Sequence, residues 1–162
     1  MSSNLSVPPA VPGARALGYP ELDAAARDAI IAGFNAHPTV TFASFLGIRM
    51  VEVRRGYARL ELPARPEIMQ PAGVVHGGAS FGLADTAVAA ALRPLYPPGA
   101  VLLTIEMKIN YLEPIVSGLV IAEAYALRSS RRSAYAEVDV WAGGKLAARA
   151  SSTYMIREAK PA

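Results

Sequence analysis

Residues 74–92 read VVHGGASFGLADTAVAAAL, and the reading of this stretch decides the fold. His76 and two glycines open it, and small, apolar residues follow, interrupted by one carboxylate, Asp85. The pattern predicts a helix over roughly residues 78–93, closed by Arg93–Pro94 and the Pro97–Pro98–Gly99 punctuation. Alanines at 84, 87, 89, 90 and 91, with Gly78 and Gly82, give this helix a thin profile that a sheet can approach closely. Being apolar on nearly every side, it is expected to be buried on nearly every side.

Upstream, residues 1–20 hold four prolines and few large apolar groups, and read as a flexible N-terminal tail. Residues 21–162 read as a single domain with an N-terminal helical extension. Leu22, Ala25, Ala26, Ala29, Ile30, Gly33 and Phe34 recur at helical spacing, with His37–Pro38 as a stop. A short helix over 39–46 ends at Gly47. Met50–Val53 and Tyr57–Leu62 flank Arg54–Arg55–Gly56 as a hairpin, and 63–73 reads as a loop.

Downstream of the long helix the chain reads as β. Ile105, Met107, Ile109 and Tyr111 alternate with polar residues, and Val120–Leu127 is apolar on both faces. Ala134–Trp141 and Lys145–Ile156 flank the tight turn Gly143–Gly144. The expectation is an α+β fold, one long helix covered by an antiparallel sheet of five strands.

Composition narrows the function. With 52% hydrophobic and 18% charged residues, the chain is globular rather than disordered. It has no cysteine, so disulfides and thiolate–zinc sites are ruled out, which fits a cytoplasmic location. The first 20 residues lack a signal-peptide pattern, and no apolar run is long enough to span a membrane. A net charge of +3 is too weak to indicate nucleic acid as a partner.

Asp85 is the residue to explain. An ionised carboxylate in apolar surroundings costs several kcal/mol unless it is hydrogen-bonded or paired. One reading places it on a polar sliver, bonded to Thr86, Thr104 or a backbone amide. The other makes it chemical. Gly77–Gly78 opens the helix, where free N–H groups and the positive dipole end suit a polarised carbonyl oxygen. Asp85 lies about 12 Å further along the axis, too far to reach the same carbonyl easily. A second copy of the chain could supply it, which hints at a site shared across an interface.

Other chemistries fit poorly. His76 reads first as a residue that shapes the turn. Ser80 has no GxSxG turn around it, and no Lys-Ser/Thr follows the glycines at phosphate-loop spacing. His76 and Asp85 alone do not make a metal site. Arg128, Arg131 and Arg132 form a basic cluster that reads either as a solvated hairpin tip or as a phosphate contact. Phe81, Met69 and Tyr96 are candidate pocket or core residues.

The run Gly73–Val74–Val75–His76–Gly77–Gly78, followed by Leu83–Ala84–Asp85–Thr86–Ala87, resembles the hotdog-fold acyl-CoA thioesterases. Within them it is nearest the phenylacetate-pathway and hydroxybenzoyl-CoA thioesterase-like members. Thr104–Pro114, Ser130–Arg131–Arg132 and Gly144–Ala150 extend the resemblance over roughly 45–157. It implies an antiparallel sheet wrapped around one long central helix, in a homodimer or homotetramer with active sites at the subunit interface.

It also implies an enzyme that hydrolyses the thioester of an aryl- or medium/long-chain acyl-CoA to free acid and CoA. Gly77 would polarise the carbonyl, and Asp85 of a second chain would act as base or nucleophile. Thr104, His76 and Gln70 would support them. Gln70 stands where relatives usually carry asparagine. Arg128, Arg131 and Arg132 would meet the phosphates of CoA, which is part of the substrate, so no separate cofactor is implied. The alternative is a non-catalytic acyl-CoA binding or sensing protein on the same fold.

Overall fold

The computed structural model describes residues 11–157. Its helices are α1 (Ala24–Asn35), α2 (Phe42–Leu46) and α3 (Gly77–Leu92). Its strands are β1 (Arg49–Arg54), β2 (Tyr57–Pro63), β3 (Val101–Tyr111), β4 (Leu119–Ser129), β5 (Ser133–Ala142) and β6 (Lys145–Arg157). The strands form one antiparallel sheet in the order β1-β2-β4-β5-β6-β3. It wraps around α3 as a hotdog fold. Among the described residues the sheet has six strands, one for each of the six strand segments read from the sequence, so the expected count of five is one short.

Local chemistry sets the turns. Gly56 carries φ 88° between β1 and β2, and Gly143 and Gly144 carry φ 55° and 75° between β5 and β6. Paired positive φ values match the right-handed twist of the strands they join. The 63–73 segment is not wholly loop, because Pro66–Ile68 forms a short 3-10 turn.

The core lies between α3 and one face of the sheet. Leu60, Leu62, Val120, Ala122, Ala124, Val138 and Val140 meet Leu83, Ala87, Val88 and Leu92 there, all fully buried. Each fully buried Leu or Val contributes about 1.5–3 kcal/mol of transfer free energy. Small residues on α3 permit the close approach. At Gly82, a Cβ would come within 2.7 Å of the Phe42 ring, so the bare position lets Phe42 of α2 lie against α3 in its present rotamer.

Two expectations need correction. Ten of the sixteen α3 residues are buried, but Gly78, Phe81, Asp85 and Ala89, spaced three or four apart, form a more open stripe. Small and apolar residue types do not distinguish a covered face from one left for another surface. The expected tail is also packed over its second half, residues 11–20. Ala14–Gly18 forms a 3-10 turn that buries Ala16 against Tyr57 and Tyr125 on the outer sheet face. The Gly13 N–H donates to Glu123, Tyr19 stacks on Tyr57, and Arg15 bridges to the buried Asp139 over the Tyr125 ring. Residues 1–10 lie outside the described residues.

Candidate active site

The first half of the site is the start of α3. Its entry is tied down by backbone bonds: Val75 N–H donates to Ile115 O at 2.7 Å, and His76 N–H to Ile68 O at 2.8 Å. His76 caps the helix, its Nδ1 accepting from Gly78 N–H at 2.9 Å. That is the turn-shaping role read from the sequence. The Gly77 N–H has no partner among the described residues, as expected of a first-turn donor. Tyr111 reaches over from β3 and donates its hydroxyl to Gly77 O at 2.7 Å. A Cβ on residue 77 would sit 3.1 Å from the Tyr111 ring and hydroxyl, so glycine keeps this corner open. Gly77 and Gln70 line one cavity of about 410 Å³ with Ser80, Tyr111 and Ile115.

The second half of the site is Asp85. Thr104 of β3 donates its hydroxyl to Asp85 Oδ1 at 2.8 Å. Tyr154 of β6 donates to the same oxygen at 2.6 Å, and also reaches Asp85 O at 2.9 Å. Thr104 and Tyr154 are direct cross-strand partners, which is why both hydroxyls converge on one atom. Asp85 Oδ2 has no partner among the described residues. Burial, reinforced by the bond to Asp85, pushes the Tyr154 phenol well above its usual range, so it remains a neutral donor. Asp85 is thus held by one oxygen and offers the other.

These contacts answer half of the question the sequence poses: the carboxylate is satisfied by two hydroxyls, one of them from Thr104 as anticipated. Thr86 does not take part, since its hydroxyl donates to Gly82 O at 2.7 Å. Tyr154 was missed. Its position in β6 gives it a face but no partner, and Asp85 lies 69 residues away.

Asp85 does not line the cavity that holds Gly77 and Gln70. Within one chain, the free N–H and the poised carboxylate therefore belong to separate places on α3.

Of the three arginines, Arg131 and Arg132 line a cavity of about 510 Å³ with Arg157, Ile105 and Met155. Arg157 is an addition to the set read from the sequence. Arg128 lies on exposed β4 backbone opposite Tyr135 and outside that cavity. Phe81, Met69 and Tyr96 line neither the Gly77 cavity nor the arginine cavity, and Tyr96 donates to Ser130 O at 3.0 Å.

Comparison with known proteins identifies the family and the fold. The sequence model of the thioesterase superfamily matches residues 72–148, which include Gly77, Asp85 and Thr104. The proofreading thioesterase EntH of Klebsiella pneumoniae is 30% identical over 71% of this chain and 84% of its own. A thioesterase from Haemophilus influenzae superposes with a TM-score of 0.75 at 26% identity, covering 79% of this chain and 90% of its own. A mutant of the phenylacetic acid degradation protein PaaI from Thermus thermophilus superposes at 0.65 with 30% identity, covering 70% and 96%. The chain belongs to the thioesterase superfamily, as a thioester hydrolase with the hotdog fold.

Proposed function

We propose that this protein is a cytoplasmic acyl-CoA thioesterase that hydrolyses aryl- or medium/long-chain acyl-CoA to free acid and CoA. One observation carries the reading: α3 presents an unpartnered N–H at Gly77 and an oriented, half-free carboxylate at Asp85. The two suit the two ends of a thioester hydrolysis. The N–H polarises the carbonyl oxygen as charge builds on it. Asp85 Oδ2 takes a proton from water, whose oxygen attacks the carbonyl carbon. The tetrahedral intermediate collapses with cleavage of the C–S bond, and the proton held by Asp85 passes to the departing CoA sulfur.

The two groups meet if two chains associate. β3 is an edge strand with an open side, and Leu103, Ile105 and Tyr111 on it are exposed. Such an edge is a template for pairing with another chain. Edge-to-edge dimerisation would set Gly77 of one chain beside Asp85 of the partner subunit. Gln70 lines the carbonyl side, Thr104 positions the carboxylate, and His76 holds the helix start. Arg131, Arg132 and Arg157 supply guanidinium forks for the CoA phosphates.

The test is thiol release from a panel of aryl and fatty acyl-CoA esters. Mixed oligomers then test the shared site. Asp85→Asn and Gly77→Pro chains, each inactive alone, should regain about a quarter of the activity when co-expressed at equal levels, since about half of randomly paired dimers are mixed and each mixed dimer holds one intact site. No thiol release from any ester despite binding points to a sensing protein. Failure of the mixture to recover activity refutes the shared site.

A further inference from the structure

A third cavity, of about 380 Å³, is bordered by Thr86, the residue after Asp85, and plays no part in the reaction as described above. It is lined by Ile30 and Phe34 of α1, Met50 of β1, Ala89 and Ala90 of α3, and Leu102 of β3. Two elements lead into it from the carboxylate. Ala89 is one helical turn beyond Asp85, on the same face of α3. Leu102 is two residues before Thr104, on the same face of β3. The cavity therefore lies one helical turn along α3 and two residues along β3 from the Asp85–Thr104 pair, neither of which lines it.

Its lining is apolar in effect as well as by residue type. Thr86 and Arg93 also border it. However, the Thr86 hydroxyl is turned to Gly82 O, and the Arg93 guanidinium is drawn to the carbonyls of Tyr96, Pro97 and Ala100.

The outer wall is the unusual part. α1 has no fully buried residue and only half-buries Ile30, Ile31 and Phe34, so it adds little to the core. It also lies outside the 72–148 segment matched by the family. Yet its end is fixed with care. The Asn35 amide donates to Met50 O and accepts from Met50 N–H, both at 2.9 Å, locking α1 to the residue that floors the cavity. A helix with little core to hold, clamped beside the carboxylate, has a place in the site instead.

We propose that α1 is the specificity wall of the acyl pocket, with Phe34 and Ile30 setting the bulk of the acyl group accepted. This rests on the thioesterase reading above. The ligand is an uncharged, apolar acyl body larger than one aromatic ring, because a dry cavity of about 150 Å³ suffices for benzene. Hydroxyl substituents are disfavoured, because the polar groups bordering the cavity are already engaged.

The experiment is kcat/KM for acetyl- through dodecanoyl-CoA, benzoyl-CoA, naphthoyl-CoA and a hydroxynaphthoyl-CoA. Chain and fused-ring arms distinguish the two forms of bulk. Wild type should gain about fourfold per methylene until the cavity fills, and should favour naphthoyl over benzoyl and over its hydroxylated analogue. Ile30→Trp should lower the octanoyl-to-acetyl ratio at least tenfold. Phe34→Ala should move the optimum to longer chains, and Phe34→Leu should return it toward wild type. Unchanged ratios in variants with wild-type melting curves overturn the wall. If no ester is hydrolysed, the thioesterase reading fails, and calorimetric affinities for octanoyl- and acetyl-CoA in the same variants decide the wall by the same ratios.

Discussion

Removing one oxygen, through Tyr154→Phe, tests how Asp85 is held. The phenol donates at 2.6 Å to Asp85 Oδ1, and its ring is 2% exposed, so phenylalanine fills the same space without a cavity. A hydrogen bond to a charged group contributes about 1.5–3 kcal/mol. Asp85 is only half-buried, so water can replace part of the lost donor in the resting protein, and the stability cost should be about 1 kcal/mol, or 2–4 °C in Tm. The remainder falls on catalysis, because Thr104 alone no longer fixes which oxygen faces the substrate. We expect kcat/KM to drop about ten- to a hundredfold in a thiol-release assay. Burial and the Asp85 bond hold the phenol above its usual range, so it is protonated throughout the assay, and the loss should be equal at pH 6 and pH 9. A rate within threefold of wild type, or a deficit that shrinks as pH rises because the wild-type phenol ionises, refutes the reasoning.

Asp85→Asn should keep the fold, since the amide oxygen can accept from both Thr104 and Tyr154, while kcat falls by about 10²–10⁴; unchanged thiol release removes Asp85 from the chemistry. Gly77→Ala should lower kcat/KM about tenfold by crowding Tyr111, with little change in Tm because helix propensity gained offsets the crowding; full activity would show that the open corner at residue 77 is not needed, while Gly77→Pro, which removes the N–H itself, tests the polariser. Stability should fall on the alkaline side. Tyr57, Tyr125 and Tyr154 are buried, and burial is the main cause raising each phenol above the value near 10 of an unfolded chain. The folded protein thus keeps protons that the unfolded chain loses, and this stability is fully present below pH 10 and lost above it. The three together should cost about 4 kcal/mol per pH unit there. Urea melts at pH 9, 10 and 11 measure it, and a midpoint that does not move refutes the prediction.

What was legible in the sequence was mostly local. Gly56 and Gly143–Gly144 mark turns because only their backbone suits the positive φ, and His76–Gly77–Gly78 marks a helix start because the cap and the free donors lie within three residues. Long-range partners were not legible. Tyr154 looks like any inward strand residue until β6 is placed beside β3. Arg15 and Tyr19 look like tail residues until Asp139 and Tyr57 are brought under them by the sheet. The open stripe on α3 was hidden for a different reason: alanine and glycine suit a packed face and an interface equally well.

The tolerance of α3 for Asp85 now has a physical account in two parts. The sheet lowers the cost of the charge, because Thr104 and Tyr154 come from neighbouring strands in direct register and converge on one oxygen. The helix fixes the use of the charge. Gly77 and Asp85 are eight residues apart on one rigid rod, so no rotamer change inside a single chain can bring the N–H and the carboxylate onto one carbonyl. In the proposed reaction the separation becomes an advantage. A thioester laid between two antiparallel copies of α3 meets the start of one helix and the middle of the other, and a two-fold arrangement repeats the pair at the opposite end. The open stripe, the exposed β3 edge and the unused Oδ2 are then one feature seen from three sides, each incomplete in one chain and each facing where a second chain would lie.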